Sequence, residues 1–140
     1  MMAILIEKVK TDSFEMQYFR FGSGERVFVI LPGISIQSVM ASAQLVADAY
    51  ADFAEDYNVY VFDRREDLPP IYTVYDMARD TAAAMKALGL TDVYLFGASQ
   101  GGMMALVIAI EYPELVHKLV LGSTSAHIND DQYASLQGWV

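Results

Sequence analysis

Five residues, Gly97-Ala98-Ser99-Gln100-Gly101, have the types and spacing that turn a hydroxyl into a nucleophile. An apolar run, Val93-Tyr94-Leu95-Phe96, precedes them, and a helix-like run from Gly102 to Ile110 follows. A Gly-x-Ser-x-Gly turn between a strand and a helix cramps the serine backbone and lifts its hydroxyl above the sheet edge. Gly97 and Gly101 suit such a turn because a Cβ there would collide with the neighbouring strand and helix. Average residue usage would produce the pattern by chance about 0.05 times in a chain of 140 residues, so a chemically idle strand–helix turn is the weaker reading.

Acyl transfer at Ser99 needs a base and donors for the oxyanion. The main-chain amide of Gln100 would start the helix, where the dipole favours negative charge. In open parallel sheets, sites lie beyond the carboxyl ends of the strands. Three other segments then share the rim with Ser99: Pro32-Gly33-Ile34-Ser35, Asp63-Arg64-Arg65-Glu66-Asp67 and Ser123-Thr124-Ser125-Ala126-His127. Gly33 lets its backbone come close, which makes the amide of Ile34 the expected second donor. An ordinary strand-ending turn is the alternative for Pro32-Gly33. Arg64 or Arg65 could hold an anionic substrate group, but the stronger expectation is that both are solvated and pair with Glu66 and Asp67.

The elements that must position these residues are legible from periodicity. Residues Ala3–Val9 and Phe14–Phe21 read as two strands, turned by Thr11-Asp12-Ser13; in the second, Phe14, Met16 and Tyr18 alternate with Glu15 and Gln17. Val27–Leu31, Val59–Phe62, Val93–Phe96 and Leu119–Leu121 are continuous apolar runs, as expected of parallel strands covered on both faces. Between them lie helical patterns. One spans about Gln37 to Ala54, with Met40, Ala43, Val46, Ala47, Tyr50 and Phe53 as its apolar stripe and Asp48, Asp52, Glu55 and Asp56 as a solvated face. The second spans Val74 to Leu88, with Thr73 and Asp76 at capping-box spacing and Gly89 as a stop. The third runs from Gln100 to just before Pro113. The fold class expected is α/β: a mostly parallel sheet with helices on both faces after an antiparallel start, forming one domain over residues 1–140.

Composition narrows the partners. Net charge is −9, which disfavours nucleic acid and anionic membrane surfaces. The chain has no cysteine, which excludes disulfides, thiol nucleophiles and thiolate metal sites. Neither a metal nor a cofactor is expected. The longest apolar stretch, Met103 to Ile110, falls well below the ~20 residues needed to cross a bilayer. The first residues lack the basic start of a signal peptide, and a cytoplasmic location is the expectation.

Taken with their order along the chain, the Gly97–Gly101 turn, the turn at Pro32-Gly33, and Tyr112-Pro113-Glu114-Leu115-Val116 leading into Leu119-Val120-Leu121-Gly122-Ser123 resemble the α/β-hydrolase family. The likeness covers nearly the whole chain. It departs from the family at Pro32, where many members have histidine, and at Asp63–Pro70, which replaces a glycine-rich loop. The resemblance implies a serine hydrolase of small esters or related acyl compounds. Its acid would follow strand seven, or sometimes six, and its histidine strand eight. This sequence ends at Trp139-Val140, just past the sixth strand, so the resemblance implies an N-terminal portion of the fold, with a cap or further helix starting near 127–140. His117 precedes the sixth strand, at the wrong end for a base. His127 lies at the correct end, and Asp130 and Asp131 lie where a minority of the family places the acid. The rival readings for these are the start of a cap, a helix start or a solvated loop.

Loss of the histidine from a serine triad can cost on the order of 10⁶ in turnover, about 8 kcal/mol. The leading expectation is therefore an esterase-like hydrolase whose base and acid come from a further C-terminal part. The alternative is a catalytically inactive module of the same fold that binds a small ligand. An unpaired sixth strand would also be a template for self-association. A nucleotide-binding fold is disfavoured, because no Gly-x-Gly-x-x-Gly follows the first strand of a βαβ unit.

Overall fold

A computed structural model describes residues 3–35 and 37–138. Met1 and Met2, and the end of the chain at Trp139 and Val140, lie outside the described residues. Six strands form one sheet: β1 (Ile6–Lys10), β2 (Glu15–Phe21), β3 (Arg26–Leu31), β4 (Tyr57–Arg65), β5 (Val93–Ala98) and β6 (Val116–Gly122). Their order is β1-β2-β4-β3-β5-β6. The first three in that order pair antiparallel, and β4, β3, β5 and β6 run parallel. The helices are α1 (Ala43–Ala49), α2 (Val74–Ala87), α3 (Gln100–Glu111) and α4 (Asp130–Gln137).

The apolar runs are continuous because successive residues serve two cores. Val29 and Leu31 of β3, Tyr60 and Phe62 of β4, and Val93 and Leu95 of β5 pack with α2 and α3 on one face. Phe28 and Ile30, Val59 and Val61 point the other way, against Met40 and Ala43. A strand residue alternates between faces with period two, so both sets must be apolar when both faces are covered. Leu95 is fully buried, and trimming such a side chain to alanine costs about 2–5 kcal/mol. β6 is the exception. Among the described residues it pairs only with β5, and Val120 and Leu121 are 50% and 41% exposed.

The structure corrects three boundaries. The helix expected over Gln37–Ala54 is broken: Val39–Ser42 and Ala51–Phe53 are 3₁₀ turns, and only Ala43–Ala49 is α-helical. Ser42 and Tyr50 at the two joints have φ near −109° and −106° with ψ of 19°. The break at Tyr50 accompanies an aromatic cluster, in which Phe53 stacks on Phe28 at 5.4 Å and Tyr50 lies 6.1 Å from Phe53. A 3₁₀ turn aligns positions i and i+3, which brings this aromatic pair together. β6 begins at Val116, earlier than the apolar run, and β4 continues through Arg65. From Phe62 to Arg65, β4 takes one step more than β2 takes from Tyr18 to Met16. This is a β-bulge, and it carries Asp63 and Arg64 into the strand end.

Two local devices set α2 and α3. At α2, Thr73 Oγ1 accepts from the Asp76 amide at 3.2 Å, and Asp76 Oδ2 accepts from the Thr73 amide at 2.9 Å. Gly89 ends that helix with φ of 72°. At α3, the first turn lies directly on the carboxyl end of β3. A Cβ on Gly101 would sit 2.0 Å from the carbonyl oxygen of Leu31 and 2.7 Å from that of Pro32. Backbone, not a pliable side chain, occupies that space.

These contacts predict two contrasts. Gly101→Ala should destabilise the fold by about 3 kcal/mol or more, because α3 must leave β3. Gly89→Ala meets open space and should cost only the left-handed backbone, about 1–2 kcal/mol; urea unfolding of both variants measures the difference. Asp76 is held below the ordinary carboxylate value, first by the Thr73 amide and then by its hydroxyl. Its stabilising contribution is complete above the ordinary carboxylate range and is lost as pH falls through the depressed value. Unfolding followed against pH should show that loss in the native chain and not in Asp76→Asn.

Candidate active site

Ser99 joins β5 to α3 with φ of 52° and ψ of −121°. This conformation is strained for any residue with a side chain, and it holds only where surrounding contacts over-determine it. Those contacts are present. The Ser99 amide donates to the Gly122 carbonyl at 3.0 Å, tying the turn to the end of β6. The Ser99 carbonyl accepts from the Gly102 amide at 3.0 Å and from Thr124 Oγ1 at 2.6 Å. Its side chain stays exposed.

The segment after β3 lies alongside. A Cβ on Gly33 would be 3.0 Å from Ser99 Cβ and 3.6 Å from Ser99 Oγ, so only glycine lets this backbone reach the hydroxyl without crowding it. Ile34 is next in the chain, and 65% of it is exposed. Ser99, Gln100 and Ile34 share the rim of a cavity of about 620 Å³. Its apolar walls come from Val74, Met103, Ile128 and Leu136, and among the described residues no charged side chain lines it. Gly97 closes the turn from below; a Cβ there would meet the Gly101 carbonyl oxygen at 2.3 Å.

The other candidates fall elsewhere. His127 is exposed, and its carbonyl accepts from Ser125 Oγ at 2.8 Å. Asp130 is exposed in the first turn of α4, behind the cap Asn129, and Asp131 follows it. None of the three lines the cavity. His117 lies at the amino end of β6, with Nδ1 3.2 Å from Asp92 Oδ1 and its ring 5.0 Å from that of Tyr94. Among the described residues, no group of three or more His, Cys, Asp or Glu converges as a metal site, and no helix is long and apolar enough to cross a membrane.

The two arginines overturn the expectation of solvated pairs with Glu66 and Asp67. Arg64 Nη2 donates to the Pro32 carbonyl at 2.8 Å and to Gln100 Oε1 at 3.0 Å. Burial pulls its guanidinium below the ordinary arginine value, against the nearby Asp63 carboxylate. Arg65 Nη1 lies 3.8 Å from Asp80 Oδ2, Nε donates to the Glu66 carbonyl at 3.3 Å, and its guanidinium sits over the Phe14 ring. Tyr72 donates to the same Asp80 at 2.6 Å; burial, then this carboxylate, drives its phenol well above the ordinary range. Sequence reasoning placed Thr124 on the rim with its segment but not its role, a hydroxyl that braces the turn. A hydroxyl next to the segment that closes over a strained serine was its only signal.

Solved structures share this arrangement of elements. The thioesterase domain from the curacin biosynthetic pathway superposes with a TM-score of 0.72 at 19% identity, over 98% of this chain and 52% of that one. Est816, an N-acyl homoserine lactone degrading enzyme, gives 0.72 at 22% identity, over 94% and 52%. Among curated proteins, serine hydrolase BPHL of Mus musculus is 30% identical over 142 residues, 97% of this chain and 48% of its own length. The chain thus spans about half the length of the curated relatives it matches first. The sequence profile of the α/β hydrolase fold matches residues 26–140, from the first residue of β3 onward, and the chain belongs to that family.

Proposed function

We propose that the chain carries the nucleophilic half of a serine hydrolase acting on small esters or related acyl compounds. Ser99 Oγ attacks the acyl carbon and its proton passes to a base. The carbonyl oxygen becomes an oxyanion, held by the main-chain amides of Gln100 and Ile34. The leaving oxygen departs with a proton, and water then attacks the acyl-enzyme and releases the acid. Each oxyanion donor is worth on the order of 10²–10³ in turnover.

The observation that carries this reading is the strained Ser99 backbone, held at φ of 52° with the Gly33 segment against its side chain. The uncharged cavity beside it suits an uncharged acyl group. The named activity of the murine relative, a serine hydrolase, agrees in chemistry. In this proposal the base and acid come from a C-terminal part of the protein, since the chain spans about half the length of its curated relatives.

A fluorophosphonate probe applied to the complete protein should modify Ser99, located by peptide mass, and should leave Ser99→Ala untouched. An unmodified Ser99 in a protein that still binds an ester analogue would favour a non-catalytic binding module. Gly33→Ala places a methyl group against the nucleophile and should slow modification about tenfold or more, since small misplacements of reacting groups are costly. Its unfolding midpoint should move much less than that of Gly101→Ala.

A further inference from the structure

The two amides assigned to the oxyanion belong to different elements, the segment after β3 and the first turn of α3. Their separation must be held closely for both to reach one oxygen. Gly33 lets the two backbones approach but does not bind them together. Arg64 makes that connection. A single nitrogen, Nη2, donates one hydrogen to Pro32, two residues before Ile34, and another to the side chain of Gln100. The bulge between Phe62 and Arg65 aims Arg64 at both acceptors.

A neutral side chain could serve as a strut, yet the chain uses a cation here. The Asp63 carboxylate acts on this cation through space, but among the described residues no carboxylate oxygen lies within 4.0 Å of its guanidinium nitrogens, and Nε is buried without a hydrogen-bond partner. Desolvating a cation this far, without an ion pair, is costly. A negative charge forming nearby would offset that cost. Arg64 is hydrogen-bonded to both elements that hold the assigned donors.

We propose that Arg64 is a positioning residue that fixes the Ile34 and Gln100 amides relative to each other and supports the oxyanion with its positive charge. This rests on the serine hydrolase reading above. Arg64 is not among the residues lining the cavity beside Ser99, so it acts through the Pro32 carbonyl and the Gln100 side chain. Loss of Arg64 therefore weakens the tetrahedral, anionic state and leaves binding of the uncharged ligand intact.

The test is saturation kinetics of Ser99 modification by a fluorophosphonate in the complete protein, with wild type, Ser99→Ala, Arg64→Met and Arg64→Lys. Methionine keeps the length without charge or donors; lysine keeps the charge but spans the two acceptors poorly. The maximal rate should fall about 100-fold in Arg64→Met and about tenfold in Arg64→Lys. The half-saturating concentration should stay within twofold of wild type. Modification in wild type with unchanged maximal rates in the variants overturns the role of Arg64 alone. A parallel rise in the half-saturating concentration also overturns it, because a collapsed loop would weaken binding itself. No modification of wild type overturns the hydrolase reading, and this role with it. Should Arg64→Met fail to fold, the lysine variant decides by the same criterion.

Discussion

Backbone pressed on backbone is the constraint from which the site follows. The first turn of α3 rests on the carboxyl end of β3 with no room for a single methyl group at residue 101. That approach leaves the connection from β5 to α3 too short for a relaxed path. Residue 99 therefore takes a positive φ, and its side chain stands clear of the sheet. α3 begins at the residue after the serine, and a helix N-terminus favours negative charge. Strain of this kind persists because the Gly122 carbonyl, the Gly102 amide and the Thr124 hydroxyl hold the same residue from three sides.

The remainder of the sheet gives that corner a stiff base. β3 and β5 are covered on both faces, and the side chains of Leu31 and Leu95 are wholly buried. Close-packed interiors have low compressibility and transmit strain rather than absorbing it locally. The strand ends that carry Gly33 and Ser99 thus move as one body, while variable chemistry is left to the segments above them.

Much of this was legible in the sequence because it depends on local, repetitive constraints. Burial on both faces forces unbroken apolar runs, so β3, β4 and β5 announce themselves. A glycine demanded by a close approach cannot be replaced, so Gly97 and Gly101 mark the turn. The capping residues Thr73 and Asp76 show for the same reason: their side chains answer to the nearest backbone amides. What escaped depends on contacts distant in sequence. The bulge in β4 breaks the two-residue period where Arg64 lies, and its acceptors are 32 and 36 residues away. The 3₁₀ joints around α1 follow an aromatic cluster assembled from β3, β4 and β5 as well as the helix itself. No window of sequence contains that cluster.

The cavity is bounded by two materials of unequal stiffness. Its floor is the α3–β5 corner. Much of its roof is α4, which contributes no buried residue and is fixed at its start by the reciprocal Asn129–Gln132 cap. Local opening free energy follows buried apolar contact, and α4 has far less of it than the floor has. The side of the cavity next to the hydroxyl is thus built from buried, close-packed elements, and the side formed by α4 is not.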